Sequence, residues 1–183
     1  MNQSITRNFL GTYKNYCFIV ALLWLFHCLS YFYQLPLTGV LPRSVDGFLG
    51  VLTAPLVHDS FYHLLSNTGG LLIFGALFCL FCPGSFWKAL GVIYLSHGFL
   101  VWVFARKAYH LGASGVLFGL LGYLLLRGLF TRRPSLLFLS SIMVVLYGGM
   151  VWQIFPINAS VSWEAHLFGF ITGALWAKYE RNL

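Results

Sequence analysis

Charged side chains are scarce in this chain of 183 residues, where Asp, Glu, Lys and Arg make up 8% of the sequence. Soluble globular domains carry about 25%. Hydrophobic residues make up 59% of the chain, and its mean hydropathy is +0.80. A membrane-spanning helix needs about 20 mostly apolar residues, so the length suffices for about six spans. The composition excludes a water-soluble fold and leaves no room for a separate soluble domain.

Acidic residues are especially rare, since Asp46, Asp59, Glu164 and Glu180 are the only four. The formal net charge is therefore +7. Lys and Arg are nevertheless scattered through the connections and form no basic stripe, so we expect no nucleic-acid partner. Basic residues in short connections instead indicate the topology of a membrane protein.

Six apolar segments are long enough to cross a bilayer. They cover residues 16–33, 61–81, 88–105, 111–126, 135–155 and 163–178. The first resembles the apolar part of a signal peptide, but it is long and aromatic and lacks a small-x-small cleavage site, so we expect it to be retained. The sequence predicts an all-α integral membrane protein, with a single six-helix bundle over residues 1–183.

Basic residues are unequally divided between the two sides of such a bundle. If the N-terminus lies inside, the outer connections hold Arg43, Arg106 and Lys107. The inner side then holds the other eight, which are Arg7, Lys14, Lys88, Arg127, Arg132, Arg133, Lys178 and Arg181. This excess predicts that both termini are cytoplasmic.

Polar residues with catalytic potential occur at the start of three segments. Ser114 lies in the Gly-Ala-Ser-Gly of residues 112–115, His166 follows fifty-two residues later, and His63 and Asn67 share one helical face. With alternating topology, all three segments enter from the outer side, and each group lies within roughly 10 Å of that end. Imidazole is the usual base that activates a hydroxyl, so the pattern predicts a serine hydrolase inside the membrane.

Each of these residues also has an ordinary structural explanation. Serine in a membrane helix often bonds back to a carbonyl, whereas His and Asn there are more often functional. Glycines such as Gly169 and Gly173 permit the close approach that a bond between Ser114 and His166 requires, but they also serve generic helix packing. A transporter or channel is an alternative, yet it would spread polar groups through the whole bilayer depth.

The remaining histidines and cysteines match no catalytic pattern. We interpret His27, His97 and His110 as packing or interfacial residues. Cys79 and Cys82 form a Cys-x2-Cys pair, but a structural zinc site needs four ligands and no second pair faces that end. We interpret them as small apolar residues, and we expect neither a metal ion nor an organic cofactor.

Three motifs resemble those of the rhomboid intramembrane serine proteases, in their compact six-helix bacterial form. They are Gly-x-Ser-Gly at 112–115, His-x4-His-x3-Asn at His58, His63 and Asn67, and Ala-His-x2-Gly-x3-Gly at 165–173. The resemblance covers nearly the whole chain. It implies a protein of the bacterial inner membrane, with an active site that opens to the outer, periplasmic face. Its partners would be the lipid bilayer and transmembrane protein substrates.

The resemblance also implies roles for individual residues. Ser114 would be the nucleophile and His166 its general base and acid, in a dyad without a carboxylate. His63 and Asn67 would donate to the oxyanion, where each donor is worth about 3 kcal/mol. The supporting positions would be His58, Gly112, Gly115, Phe118, Gly169 and Gly173. Glu164 lies about 200° around the helix from His166, so we do not expect it to orient that ring.

Two positions depart from the family pattern. Many rhomboids carry Trp-Arg in the first outer loop, where this chain has Leu49 and Gly50, so the loop must be anchored differently. Many also carry a tyrosine four residues after the serine, where Phe118 keeps the ring and lacks the hydroxyl. A catalytically silent rhomboid-like protein that binds membrane helices is a further alternative. Such proteins typically lack the serine or the histidine, and both are present here.

Overall fold

The computed structural model describes residues 3–34, 38–158 and 160–181. Its α-helices are α1 (Gln3–Tyr33), α2 (Gly50–Thr53), α3 (Phe61–Phe81), α4 (Phe86–Phe104), α5 (Ser114–Thr131), α6 (Pro134–Tyr147) and α7 (Trp163–Glu180). Three 3₁₀ segments, Ala54–Leu56, Pro83–Ser85 and Gly148–Ile154, adjoin them. Within the described ranges, the β pairing is limited to one antiparallel bridge between Val40 and His110. The all-helical prediction is therefore confirmed.

Helix α5 lies at the centre of the bundle. Every residue from Ser114 to Leu125 is buried, and α5 packs against α3, α4, α6 and α7. The starts of α3, α5 and α7 lie at one end of the bundle, where His27 of α1 lies near His58 and the chain just after α4 contacts Glu164. The long helices thus alternate in direction along the chain, which brings the N-termini of α3, α5 and α7 together at one end.

The structure corrects the predicted bounds of the fourth segment, 111–126. The helix α5 starts at Ser114, because Gly112 has φ +98°, a left-handed conformation that helical residues do not adopt. It continues to Thr131, where Arg132 adopts φ 54° and Pro134 follows. A left-handed residue before a proline is a common end for a helix. The serine therefore occupies the first turn of its helix.

Two other segments also differ from their predicted ranges. The first helix begins at Gln3, because no proline interrupts the polar residues before position 16. The predicted helix 135–155 is α-helical only from Pro134 to Tyr147 and continues as a 3₁₀ segment to Ile154. Gly148 and Gly149 begin this segment, and glycine weakens an α-helix. The third and sixth helices lie within two residues of their predicted ends.

Five helical stretches of the described chain are long and apolar enough to cross a membrane. They are Phe9–Tyr33, Phe61–Phe81, Pro83–Phe104, Ser114–Thr131 and Pro134–Ile154. The sixth predicted segment forms α7, which has 18 residues but carries Glu164, Lys178 and Glu180. The chain is therefore a membrane protein with five clear candidate spans and a sixth helix of mixed polarity.

The loop between α1 and α2 is anchored to the chain between α4 and α5. Val40 and His110 exchange backbone hydrogen bonds of 2.8 and 2.9 Å. The Arg43 guanidinium donates to the carbonyl oxygens of Val103 and Ala105, and the Trp102 indole donates to Ser44. These contacts hold the loop without a Trp-Arg motif. The sequence also places Pro36 in this connection, where a proline is expected to interrupt a helix, but that residue lies outside the described ones.

Candidate active site

The hydroxyl of Ser114 and the imidazole of His166 meet between α5 and α7. Ser114 Oγ lies 2.9 Å from His166 Nε2, and both side chains are buried. Ser114 is the first residue of α5, and His166 lies in the first turn of α7. The two residues of the predicted dyad, fifty-two positions apart, are thus at hydrogen-bonding distance.

A backbone carbonyl orients the His166 ring. Its Nδ1 lies 3.1 Å from the carbonyl oxygen of Gln153, near the end of the 3₁₀ segment, where carbonyls lack helical partners. A carbonyl oxygen only accepts hydrogen bonds, so the ring must carry its hydrogen on Nδ1. Nε2 then has a free lone pair and accepts from Ser114. This is the tautomer that a general base needs.

Glu164 does not contribute to this arrangement. Its side chain accepts from the backbone N–H of Arg106 at 3.3 Å and lies 3.6 Å from the Arg106 Nε. The Arg106 guanidinium also donates to the carbonyl of Val161. Glu164 therefore joins the end of α4 to the start of α7, while both ring nitrogens of His166 have other partners.

Phe118 covers one face of the His166 ring. The two ring centroids lie 4.1 Å apart and the planes are inclined by only 9°, which is a stacked arrangement. Phe118 is 1% exposed. The phenyl ring therefore fixes the plane of the imidazole by packing alone. The hydroxyl that many rhomboids carry at this position is not needed for the contact.

His63, Asn67 and Gly112 surround the space in front of Ser114. A methyl group at Gly112 would lie 2.7 Å from the His63 Nε2 and 3.4 Å from the Asn67 Nδ2, so only glycine fits there. Asn67 is 3% exposed. Among the described residues, its Nδ2 has no hydrogen-bond partner, although buried amides are normally paired. An unpaired donor of this kind is suited to a charge that forms only during a reaction.

His58 lies behind this group of donors. Its Nε2 is 3.5 Å from the backbone N of Ala113, and its ring centroid is 5.1 Å from that of His63. Burial, followed by the nearby His63 ring, lowers the pKa of His58 from 6.5 to about 4. The ring is therefore neutral near pH 7 and acts as an uncharged support for the turn before Ser114.

Four glycines hold α5 and α7 together, and we call them the α5–α7 seam (Gly115, Gly119, Gly169 and Gly173). A methyl group at Gly169 would lie 2.0 Å from the Gly115 carbonyl oxygen, and one at Gly173 would lie 1.9 Å from that of Gly119. Behind Gly115 lies the ring of His97, 2.4 Å from the position of a methyl group. The backbones are thus in contact, as the bond between Ser114 and His166 requires.

The site opens into a cleft of about 560 Å³. Its polar lining includes Ser114, His166, His63, Asn67, Asp59 and Gln153. A larger hollow of about 800 Å³ lies elsewhere, between the first loop, α4 and α7. Its lining is almost entirely apolar and includes none of the predicted site residues, so the smaller cleft is the candidate active site.

Sequence reasoning missed three contributors. Gln153 acts through its backbone carbonyl, which no sequence pattern could identify. His97 supports the serine helix through the gap at Gly115, although we had assigned it only to packing in general. Asp59 lies beside His63, with its Oδ1 2.8 Å from the His63 Nδ1. The spacing of four residues between Asp59 and His63 was visible in the sequence and could have suggested this contact.

Cofactor ligands were not expected from the sequence. Across residues 3–34, 38–158 and 160–181, no group of three His, Cys, Asp or Glu side chains is placed to hold a metal ion. Cys79 and Cys82 are both buried and unbridged in the structure. The cleft is lined by hydroxyl, imidazole, amide and carboxylate groups among others.

Comparison with known proteins agrees with the geometry. The model of the Rhomboid domain matches residues 46–182. Uncharacterised proteins of Mycobacterium bovis and Mycobacterium tuberculosis are each 33% identical over 153 residues, which cover 79% of this chain and 64% of their own length. A Bacillus subtilis protein named "Putative rhomboid protease YdcA" is 31% identical over 189 residues, covering 92% of this chain and 89% of its own. The chain therefore belongs to the rhomboid family.

Proposed function

We propose that this protein is an intramembrane serine endopeptidase that cleaves transmembrane segments of membrane proteins. The observation that carries the proposal is the 2.9 Å contact between Ser114 Oγ and a His166 Nε2 whose lone pair is free. His166 would take the proton as Ser114 attacks the scissile carbonyl, and would return it to the leaving amine. Water entering through the cleft would then hydrolyse the acyl-enzyme.

The tetrahedral intermediate would place a negative charge in the space bounded by Gly112. Asn67 Nδ2, the His63 ring and the Ser114 backbone N–H at the start of α5 surround that space. A helix N-terminus carries partial positive charge and unpaired N–H groups, which favours an oxyanion. Each donor of this kind is worth about 3 kcal/mol in the transition state.

Fluorophosphonate labelling tests the proposal. A fluorophosphonate reacts with an activated serine, so the purified wild-type protein should be labelled and should cleave a model transmembrane substrate, whereas Ser114→Ala should do neither. A silent helix-binding protein would retain the substrate without being labelled. Cleavage by purified Ser114→Ala would refute the assignment of the nucleophile.

We also propose that both termini face the cytoplasm, so that the cleft opens outwards. The distribution of Lys and Arg supports this orientation. Single cysteines can test it in a variant that lacks the four native cysteines. One at Val45, which is 89% exposed, should react with an impermeant maleimide from outside, whereas one at exposed Arg132 should react only after permeabilisation. The reverse pattern would place the active site at the cytoplasmic face.

Substrates should be selected by how readily their helices unwind. The backbone of a helix is shielded by neighbouring turns, and Gly or Pro weakens a helix by about 1 or 3 kcal/mol relative to Ala. A substrate with a small residue at the cut and a helix breaker downstream should be cleaved faster than an all-Leu helix. Equal rates at matched membrane concentration would show that unwinding does not limit access.

A further inference from the structure

Asp59 contacts His63, one of the proposed oxyanion donors. Its Oδ1 lies 2.8 Å from His63 Nδ1, and both residues line the cleft that holds Ser114. Ser60 accepts from the His63 backbone N–H and caps α3, which fixes Asp59 just before the helix and His63 in its first turn. Partial burial raises the pKa of Asp59, but the hydrogen bond and charge of His63 outweigh it, and the pKa is lowered. Asp59 is therefore an ionised carboxylate near neutral pH.

The contact decides where the His63 ring carries its hydrogens. An ionised carboxylate only accepts hydrogen bonds, so the hydrogen in this contact lies on His63 Nδ1. In a neutral ring, Nε2 would then hold a lone pair and would repel an oxyanion. Nε2, together with Cε1, lies 2.7 Å from where a methyl group on Gly112 would be, and His63 lines the same cleft as Ser114, where the proposed negative charge would form. Nε2 can donate a hydrogen bond there only if the ring carries both hydrogens, which is the cationic imidazolium.

We propose that Asp59 is a positioning residue that holds His63 as an imidazolium, with Nδ1–H bonded to the carboxylate and Nε2–H directed at the oxyanion. This inference rests on the proposed protease function. Asp59 touches neither substrate nor reacting atoms and acts through His63. The pair places a full positive charge, balanced by Asp59 in the ground state, next to the developing negative charge. A charged donor forms a stronger hydrogen bond than a neutral one.

The other titratable groups around His63 do not supply this negative charge. The His58 ring lies 5.1 Å from the His63 ring, and the His27 ring of α1 lies 6.4 Å from that of His58. His166 lies across the cleft on α7. A charge on any of these rings would oppose the imidazolium. Glu164 is the acid on α7 near the cleft, and its carboxylate is bonded to the Arg106 backbone.

Substitutions of Asp59 separate its charge from its role as an acceptor. Asp59→Asn keeps an oxygen that accepts from Nδ1 and removes the charge, whereas Asp59→Ala removes both and Asp59→Glu keeps the charge. We expect Asp59→Ala to lower kcat about 10- to 100-fold with little change in KM, below the 10²- to 10³-fold loss typical of deleting a donor itself. Asp59→Glu should recover most of this loss. Asp46→Asn, at an exposed acid of the first loop, is the matched control and should retain wild-type kcat.

The pH profile is the readout that a merely structural role would not change. If Asp59 holds the second hydrogen on His63, acid should replace part of that effect, so the kcat deficit of Asp59→Asn should shrink as the pH falls. The same deficit should be largest at high pH, where only the carboxylate would hold that hydrogen on the ring. His63→Gln supplies an amide donor that needs no charge. In that background, adding Asp59→Asn should change kcat less than twofold.

The assays use the full chain in liposomes with a transmembrane substrate, and thermal unfolding confirms that each variant is folded. If Asp59→Ala fails to fold, Asp59→Asn and Asp59→Glu still decide the question. Equal kcat and parallel pH profiles for Asp59→Asn and the wild type would overturn this inference alone. A wild-type protein that neither cleaves the substrate nor reacts with a fluorophosphonate would overturn the proposed function, and this inference with it.

Discussion

Helices α1 and α5 are similarly apolar yet occupy opposite environments. In the most apolar stretch of α1, 17% of the residues are buried, whereas in that of α5 the share is 72%. Large side chains such as Phe18 and Phe32 of α1 are exposed on the outside of the bundle. Helix α5 contains four glycines, whereas α1 contains only Gly11. Those of α5 are Gly115, Gly119, Gly122 and Gly128. In a bilayer, apolarity qualifies a helix to span, but small residues decide whether other helices can pack against it.

The contrast is also chemical. Helix α1 contacts its neighbours through single side chains, such as the Trp24 indole, which donates to Thr68 Oγ1 at 3.0 Å. Helices α5 and α7 contact each other through their backbones, at the seam glycines. Side-chain contacts can shift by rotation about their bonds, whereas touching backbones cannot. The proposed catalytic pair therefore lies beside a contact between two helix backbones.

The largest expected effect is on the catalytic pair of α5 and α7. His166→Ala should lower kcat at least about 10⁴-fold, and Ser114→Ala with His166→Ala should be no worse than either alone, because the two act as one unit. Cys28→Ser, at an exposed position of α1, is the control and should be fully active. Steady-state cleavage in liposomes measures all four variants. Additive losses in the double variant would argue against a dyad.

The second effect contrasts two adjacent residues on α3. Asn67 faces Gly112 before α5, and Thr68 faces Trp24 of α1. Asn67→Ala should lower kcat about 10- to 1,000-fold with a smaller change in KM, because its hydrogen bond strengthens as the oxyanion forms. Thr68→Ala should keep kcat and lose about 1 kcal/mol of stability. Wild-type kcat in Asn67→Ala would remove that residue from the proposed mechanism.

The third effect concerns stability and compares glycines on the two sides of the bundle. Gly173→Ala would place a methyl group 1.9 Å from the Gly119 carbonyl oxygen, and such overpacking costs about 1–3 kcal/mol. Gly11→Ala on α1 meets no atom within 4 Å and should stabilise by about 0.4–1 kcal/mol. Thermal unfolding in detergent measures both. If Gly173→Ala left the stability unchanged, the α5–α7 seam could widen without a loss of folding free energy.

The smallest expected effect is a change in stability with pH. It is due to His58, whose ring lies 6.4 Å from that of His27 of α1. The folded pKa of His58, about 4, lies below the ordinary 6.5, so its contribution to stability is complete above pH 6.5 and is lost as the pH falls towards 4. Between pH 7 and 5.5 the loss should be roughly 1 kcal/mol. His58→Gln should flatten the curve, although His110, whose pKa burial also lowers, still titrates. An unchanged slope would mean that His58 is already protonated in the fold.

Much of the fold could be predicted because the bilayer imposes simple rules. Stretches of about 20 apolar residues had to become helices, and α3 was predicted with its observed bounds, residues 61–81. The errors occurred where local conformation competes with apolarity. Gly112 delays the start of α5 through its positive φ, and the α-helix of the fifth segment gives way to a 3₁₀ segment at Gly148. Hydropathy does not register either feature.

The predicted site residues came together because each followed the start of a helix at the same end of the bundle. Their partners could not be predicted in the same way. The carbonyl of Gln153 orients His166, but every residue has a carbonyl, and only the end of the 3₁₀ segment leaves this one free. Asp59 and His63 are four residues apart, a spacing that allows their contact. Asp59 nevertheless lies before the helix, where a side chain can point in several directions until Ser60 caps the helix.

The sequence by itself determined that this chain is helical, lies in a membrane and carries serine, histidine and asparagine at matching depths. Those features depend on composition and spacing, which are properties of the chain alone. The tertiary structure decided which helix is central, which tautomer His166 adopts and which donor is left without a partner. Those features depend on short distances between residues far apart in the chain, such as the 2.9 Å between Ser114 Oγ and His166 Nε2. Such distances are set only when the helices and their connections pack against one another.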